Sequence, residues 1–155
     1  MVTLRPCEPS DLDHFFAFQR DPEAVRMAAF TPADRDDRAA FDAHWAKILA
    51  DPTILNRTIT VDGTVVGSIA TYPDDGHNEV TYWVDRAWWG RGVASAALAA
   101  LLAEVPTRPL RARVADGNPG SLRVLTRNGF RVVGEDSGFA PGRGEIIREY
   151  VLLLD

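Results

Sequence analysis

Two glycines one residue apart, Gly90 and Gly92, stand between an alternating strand pattern and an alanine-rich apolar run. This junction restricts the fold more than any other stretch of the chain. Upstream, Glu79-Val80-Thr81-Tyr82-Trp83-Val84 is rich in β-branched and aromatic residues and predicts a strand. Downstream, Val93-Ala94-Ser95-Ala96-Ala97-Leu98-Ala99-Ala100-Leu101-Leu102 predicts a helix that ends before Pro106 and packs closely on a sheet. A helix N-terminus has unpaired N–H groups and a partial positive charge, so it binds phosphate. Glycines there remove the Cβ atoms that would keep a diphosphate from the backbone. Arg86 and Arg91 add charge. On this motif alone, a tight strand-to-helix turn without a ligand is the alternative.

The rest of the chain gives the surrounding elements. Val2 to Arg5 predicts a short strand. Ser10 is positioned to cap a helix over Asp11 to Arg20, Pro22 to Met27 a further helical turn. Thr31-Pro32 or Asp34 is expected to start a second full helix through Phe41, Trp45, Ile48 and Leu49. Ile54 to Val61 and Thr64 to Tyr72 form a hairpin across Asp62-Gly63, and Asp74-Asp75-Gly76 turns the chain into the strand at Glu79. Leu110 to Val114 is a strand, and Asn118 opens a helix that Gly129 ends. Phe130 to Val133 and Ile146 to Leu154 are the last strands, with a glycine- and proline-rich loop from Gly138 to Gly144. The expected fold class is α/β, an α+β mixed sheet of about six to seven strands flanked by about four helices. No repeat or linker interrupts it, so residues 1–155 read as a single domain.

Composition excludes several classes. A net charge of −5 argues against nucleic acid as a partner. No window approaches the roughly 18 consecutive apolar residues of a membrane span, and the first residues lack the apolar run expected of a secretory signal. Cys7 is the single cysteine, and His14, His44 and His77 are too scattered to hold a metal, so a cytoplasmic protein without metal is expected. Residues 1–80 carry 14 acids against 7 bases, and residues 81–155 carry 8 against 10. An anionic ligand on the second half and a cationic one facing the first are compatible with that asymmetry.

Gly90-Arg91-Gly92 also begins a dinucleotide fingerprint, but the third position is Ser95 and the motif lies mid-chain after an antiparallel meander. The sequence instead resembles the GNAT superfamily of N-acetyltransferases, in its RimJ/RimL-like branch. Trp89-Gly90-Arg91-Gly92-Val93-Ala94 is similar to that family's [QR]-x-x-G-x-[GA] cofactor motif in all but its first position. Asn118-Pro119-Gly120-Ser121-Leu122-Arg123-Val124-Leu125-Thr126-Arg127-Asn128-Gly129-Phe130 looks like its N-x-x-S helix, and Glu79-Val80-Thr81-Tyr82-Trp83-Val84 like the branch's E-(I/V)-G-Y-W strand.

The resemblance implies acetyl-CoA as co-substrate in a V-shaped split of the sheet. Backbone groups of Trp83 and Val84 would pair with the pantetheine arm. Trp89 and the N–H groups of Gly90, Arg91, Gly92, Val93, Ala94 and Ser95 would border and hold the pyrophosphate. Asn118 and Ser121 would lie on the other side, although Asn118 also suits simple N-capping. Arg123 and Arg127 are placed either toward the adenosine 3′-phosphate or on an exposed helix face.

Acyl transfer needs an unprotonated amine, a stabilised oxyanion and a proton donor for the thiolate. Glu79 is the candidate base, set against an exposed glutamate in a solvated turn. Val84 N–H or its neighbour is the candidate oxyanion donor. Many relatives carry a tyrosine acid where this chain has Leu125, which leaves Ser121 or a water as donor. The acceptor amine would enter over the N-terminal helices, with Phe15, Met27, Phe30, Trp45 and Tyr72 as candidate lining. A noncatalytic acyl-CoA-binding or sensing module is the alternative function. The final strands leave a homodimer open.

Overall fold

Asp62 and Gly63 both take positive φ, 49° and 84°, as a two-residue type I′ turn requires, and they close the first hairpin. The computed structural model describes residues 1–155. Its strands are β1 (Val2–Pro6), β2 (Leu55–Val61), β3 (Thr64–Asp74), β4 (His77–Val84), β5 (Leu110–Ala115), β6 (Arg131–Ala140) and β7 (Glu145–Leu154). Its helices are α1 (Leu12–Gln19), α2 (Pro22–Ala28), α3 (Arg38–Ala50), α4 (Val93–Glu104) and α5 (Pro119–Arg127). The strands form one sheet in the order β1-β2-β3-β4-β5-β7-β6. Only β4 and β5 run parallel, because α4 carries the chain from one to the other.

Alternation along each strand sends side chains to opposite faces. Val80 and Val84 of β4 and Ala112 and Val114 of β5 join Val93, Ala97, Leu98 and Leu101 of α4 in the main core, with Leu125 of α5. Glu79, Thr81 and Trp83 turn to the other face. There α1 packs on β3 and α2 on β5. A small cluster of Ala29, Ala115 and Ala140 seats the end of α2 against the sheet. No helix is long and apolar enough to cross a membrane.

Several boundaries differ from the expected ones for local reasons. Ser10 caps nothing; it lies in the single turn Pro9–Asp11. Asp11, expected as a helical residue, is buried and accepts two hydrogen bonds of 2.8 Å from Arg5, one of 2.8 Å from Glu8 N–H and one of 2.7 Å from Thr58. Burial alone would raise its pKa, but these donors outweigh it and hold the carboxyl at about 2. The helix expected from residue 31 or 34 starts at Arg38, because Asp37 supplies the cap to Ala40 N–H at 3.1 Å. β6 does not stop at Val133; after a bulge between Val132 and Gly134 it pairs with β7 as far as Ala140.

Candidate active site

β4 and β5 share a single register pair, Glu79 with Arg111. Beyond it the two strands part, so the sheet is split between Val84 on one side and Ala115 on the other. Asp85 N–H donates to Val66 of β3 at 2.8 Å. By the alternation of antiparallel pairing, the backbone groups of Trp83 also turn toward β3, whereas those of Tyr82 and Val84 face the split. Gly67 agrees with this: any side chain there would collide with the Trp83 carbonyl. Of the two residues expected to offer their backbone to a ligand, Val84 is oriented to do so and Trp83 is not. The Val84 carbonyl itself accepts the Trp89 indole N–H at 2.9 Å, so Trp89 ties the following loop to the strand end.

That loop leads into α4. Gly90 and Gly92 have φ of 73° and 75°, with Gly92 as the N-cap. The first helical bond runs from Ala96 N–H to Gly92 O at 3.1 Å, which leaves the N–H groups of Val93, Ala94 and Ser95 without helical partners. No atom lies within 4 Å of a Cβ placed on either glycine. Free N–H groups at a helix start with open space before them fit a diphosphate. Arg91 is exposed and lies over the Trp88 ring, 5.0 Å from its centroid. Arg86 pairs with Asp21, the cap of α2, at 3.2 Å. Arg123 and Arg127 lie on an exposed face of α5.

Asn118 caps α5: its side-chain oxygen accepts Ser121 N–H at 3.3 Å, and its amide donates to Met27 O at 3.3 Å. It therefore clasps α5 to the end of α2. Ser121 Oγ lies 2.6 Å from the Tyr82 hydroxyl, across the gap from α5 to β4. Burial pushes the Tyr82 phenol up to about 12, against a smaller pull downward from Ser121. Ser95 is held from behind, its Oγ accepting from Asn128 at 3.3 Å.

Glu79 is 2% exposed, so it is no solvated turn residue. Its Oε1 is engaged by the Arg111 guanidinium, with Arg113 at 3.9 Å, and no hydrogen bond reaches Oε2. Arg111 also contacts Asp74 at 3.4 Å and His77 at 3.1 Å. Arg113 is occupied by Asp136 at 2.7 Å and Glu149 at 2.8 Å. Tyr72 stands opposite Glu79 in register, its phenol raised by burial and by the Glu79 and Asp74 carboxylates. Phe15 and Trp45, expected as pocket lining, instead pack on each other at 5.1 Å with Phe41 close by, between α1 and α3. Met27 contributes a carbonyl, and Phe30 lies over Gly138. Leu125 is in the core. Sequence reasoning missed Arg111 as the partner of Glu79 and Tyr82 as the partner of Ser121. The signals available were the alternation of β4 and the basic residue at the start of the next strand.

Residues 1–131 match the model of the Acetyltransferase (GNAT) domain. The chain belongs to the GNAT acetyltransferase family. It is 26% identical over 163 residues to an uncharacterised N-acetyltransferase p20 of Bacillus licheniformis, covering 99% of this chain and 92% of the relative. Among solved structures, a GNAT superfamily phosphinothricin acetyltransferase of Sinorhizobium meliloti in complex with AcCoA superposes with a TM-score of 0.81 at 17% identity, over 99% of this chain and 87% of the other. Mycobacterium smegmatis RimJ in complex with CoA-disulfide gives 0.79 at 20% identity, over 99% and 81%. The seven-stranded mixed sheet with five helices is the GNAT fold.

Proposed function

We propose that residues 1–155 form one cytoplasmic transferase domain, in the RimJ/RimL-like manner, that moves an acetyl group from acetyl-CoA to a primary amine by direct transfer. The amine belongs to a protein N-terminus or a small molecule. The observation that carries this reading is the split between β4 and β5 with a glycine cradle at its open end. The AcCoA and CoA-disulfide complexes of two proteins with the same fold support the donor.

Acetyl-CoA would supply an activated carbonyl and a thiol leaving group. The free N–H groups at the start of α4 would hold its diphosphate, and Val84 N–H faces the split to donate to the carbonyl oxygen. Glu79 Oε2, left unpaired while Oε1 is held, would take the proton that an ammonium must lose before attack. As the C–N bond forms the nitrogen loses a second proton. The C–S bond breaks, and sulfur takes the bonding pair and one proton, so one proton leaves to solvent overall. Ser121 Oγ would donate toward the departing sulfur.

One observation favours a second reading, a noncatalytic acyl-CoA-binding module: at the position where the family resemblance implies a tyrosine acid, the chain has Leu125, buried in the core. A thiol-release assay with acetyl-CoA and a panel of N-terminal peptides, amino acids, polyamines and aminoglycosides separates the two. Release with any amine supports the transferase. Tight CoA binding with no release supports the sensor.

A further inference from the structure

Tyr82 Oη lies 2.6 Å from Ser121 Oγ and 3.3 Å from the Ser121 carbonyl oxygen. The carbonyl can only accept, and the phenol has a single hydrogen to give, either to that carbonyl or, over the shorter contact, to Ser121 Oγ; across the latter contact either hydroxyl can be the donor. The phenol keeps its proton, since burial moves its titration to about 12. A serine oxygen that receives this hydrogen bond must point its own O–H elsewhere. Ser121 has little freedom in doing so: it lies in the first turn of α5, and Asn118 fixes its backbone N–H. Tyr82 belongs to the strand whose adjacent backbone groups face the split.

Resting on the transferase reading above, we propose that Tyr82 is a positioning residue for Ser121. It donates to Ser121 Oγ and so turns the serine hydrogen into the split, where the sulfur departs. The Tyr82 ring itself packs against the main core, so Tyr82→Phe keeps that packing and removes only the hydroxyl.

The test compares wild type, Tyr82→Phe, Ser121→Ala and the double variant, with acetyl-CoA and whichever amine of the panel turns over. The expected result is a kcat about tenfold lower in Tyr82→Phe with KM for acetyl-CoA unchanged, the scale of one misdirected hydrogen bond. The double variant is then no slower than Ser121→Ala alone. A second readout needs no substrate. In ligand-free protein carrying ¹³Cζ-labelled tyrosine, the resonance absent from Tyr82→Phe is the one that shifts in Ser121→Ala. An unchanged kcat, a raised KM alone, losses that multiply in the double variant, or an unshifted resonance would each overturn the positioning role while the transferase reading stands. Wild-type protein that binds CoA but acetylates no amine sinks the transferase reading and this role with it.

Discussion

Glu79 and Arg111 meet at the one place where β4 and β5 pair as strands, and their side chains pair as well. The ion pair thus sits at the apex of the split, with 3% of the Glu79 side chain and 12% of the Arg111 side chain exposed. A buried charge that loses its partner costs more than the pair contributes when intact. Arg111→Leu, which strands the carboxylate, is expected to destabilise the fold by about 3 kcal/mol in urea unfolding. Glu79→Gln should cost less stability, and should lower kcat about 100-fold at unchanged CoA affinity if this carboxylate takes the proton. Equal kcat in Glu79→Gln and wild type would remove it as the base.

Two glycine substitutions should separate crowding from backbone conformation. Gly67→Ala drives a methyl into the Trp83 carbonyl of the neighbouring strand, so β3 and β4 must shift; about 2–3 kcal/mol of stability should be lost. Gly92→Ala meets no atom and is penalised only through its φ of 75°, by about 1–2 kcal/mol. Its larger effect should fall on CoA affinity, read by calorimetry, because the start of α4 moves.

Asp11 predicts an acid transition with a definite sign. Its folded pKa of about 2 lies below the unfolded value, so its contribution is fully present above about pH 4 and is lost as pH falls toward 2. The shift corresponds to about 2 kcal/mol at neutral pH. Asp11→Asn should lower stability at pH 7 and flatten the dependence between pH 4 and 2. A parallel curve in the variant would assign the acid transition to other carboxylates.

CoA at about 100 times its Kd should raise the melting temperature by roughly 5–10 °C, the effect of about 2.7 kcal/mol on a domain of this size. Added salt should weaken binding, and Arg91→Ala should weaken it several-fold, since Arg91 is the exposed cation beside the cradle. Binding indifferent to both changes would move the diphosphate away from α4.

Features set by neighbouring residues were legible before any coordinates. The Asp62-Gly63 turn, the Asn118 cap and the glycine turn that opens α4 each follow from a few adjacent residues. Features joining distant elements were not. Arg111 reaches Glu79 only because α4 intervenes and returns the chain in parallel, and no periodicity records that pairing. Tyr82 was readable as a strand residue, but its serine partner 39 residues on was not. The start of α3 slipped because Asp34 and Asp37 are equally good caps by type; the chain uses Asp37, close to where Arg38 reaches Asp13. β6 outran its expected end because an edge strand tolerates Gly134 and Gly138.

On the proposed function, the donor half of the site would be assembled chiefly from peptide groups, at Val84 and at the start of α4. Every residue except proline carries the same N–H, so most side chains around that half can drift while its chemistry persists. The acceptor half would be different, bordered by the Glu79, Tyr72, Arg111 and Arg113 side chains, which cluster on one face of β3 to β5. On that reading, sequence can diverge widely around the donor half while changes in the acceptor half alter which amine is taken. An engineer seeking a new acceptor should redesign the Glu79 face of β3 to β5 and leave the glycine loop untouched.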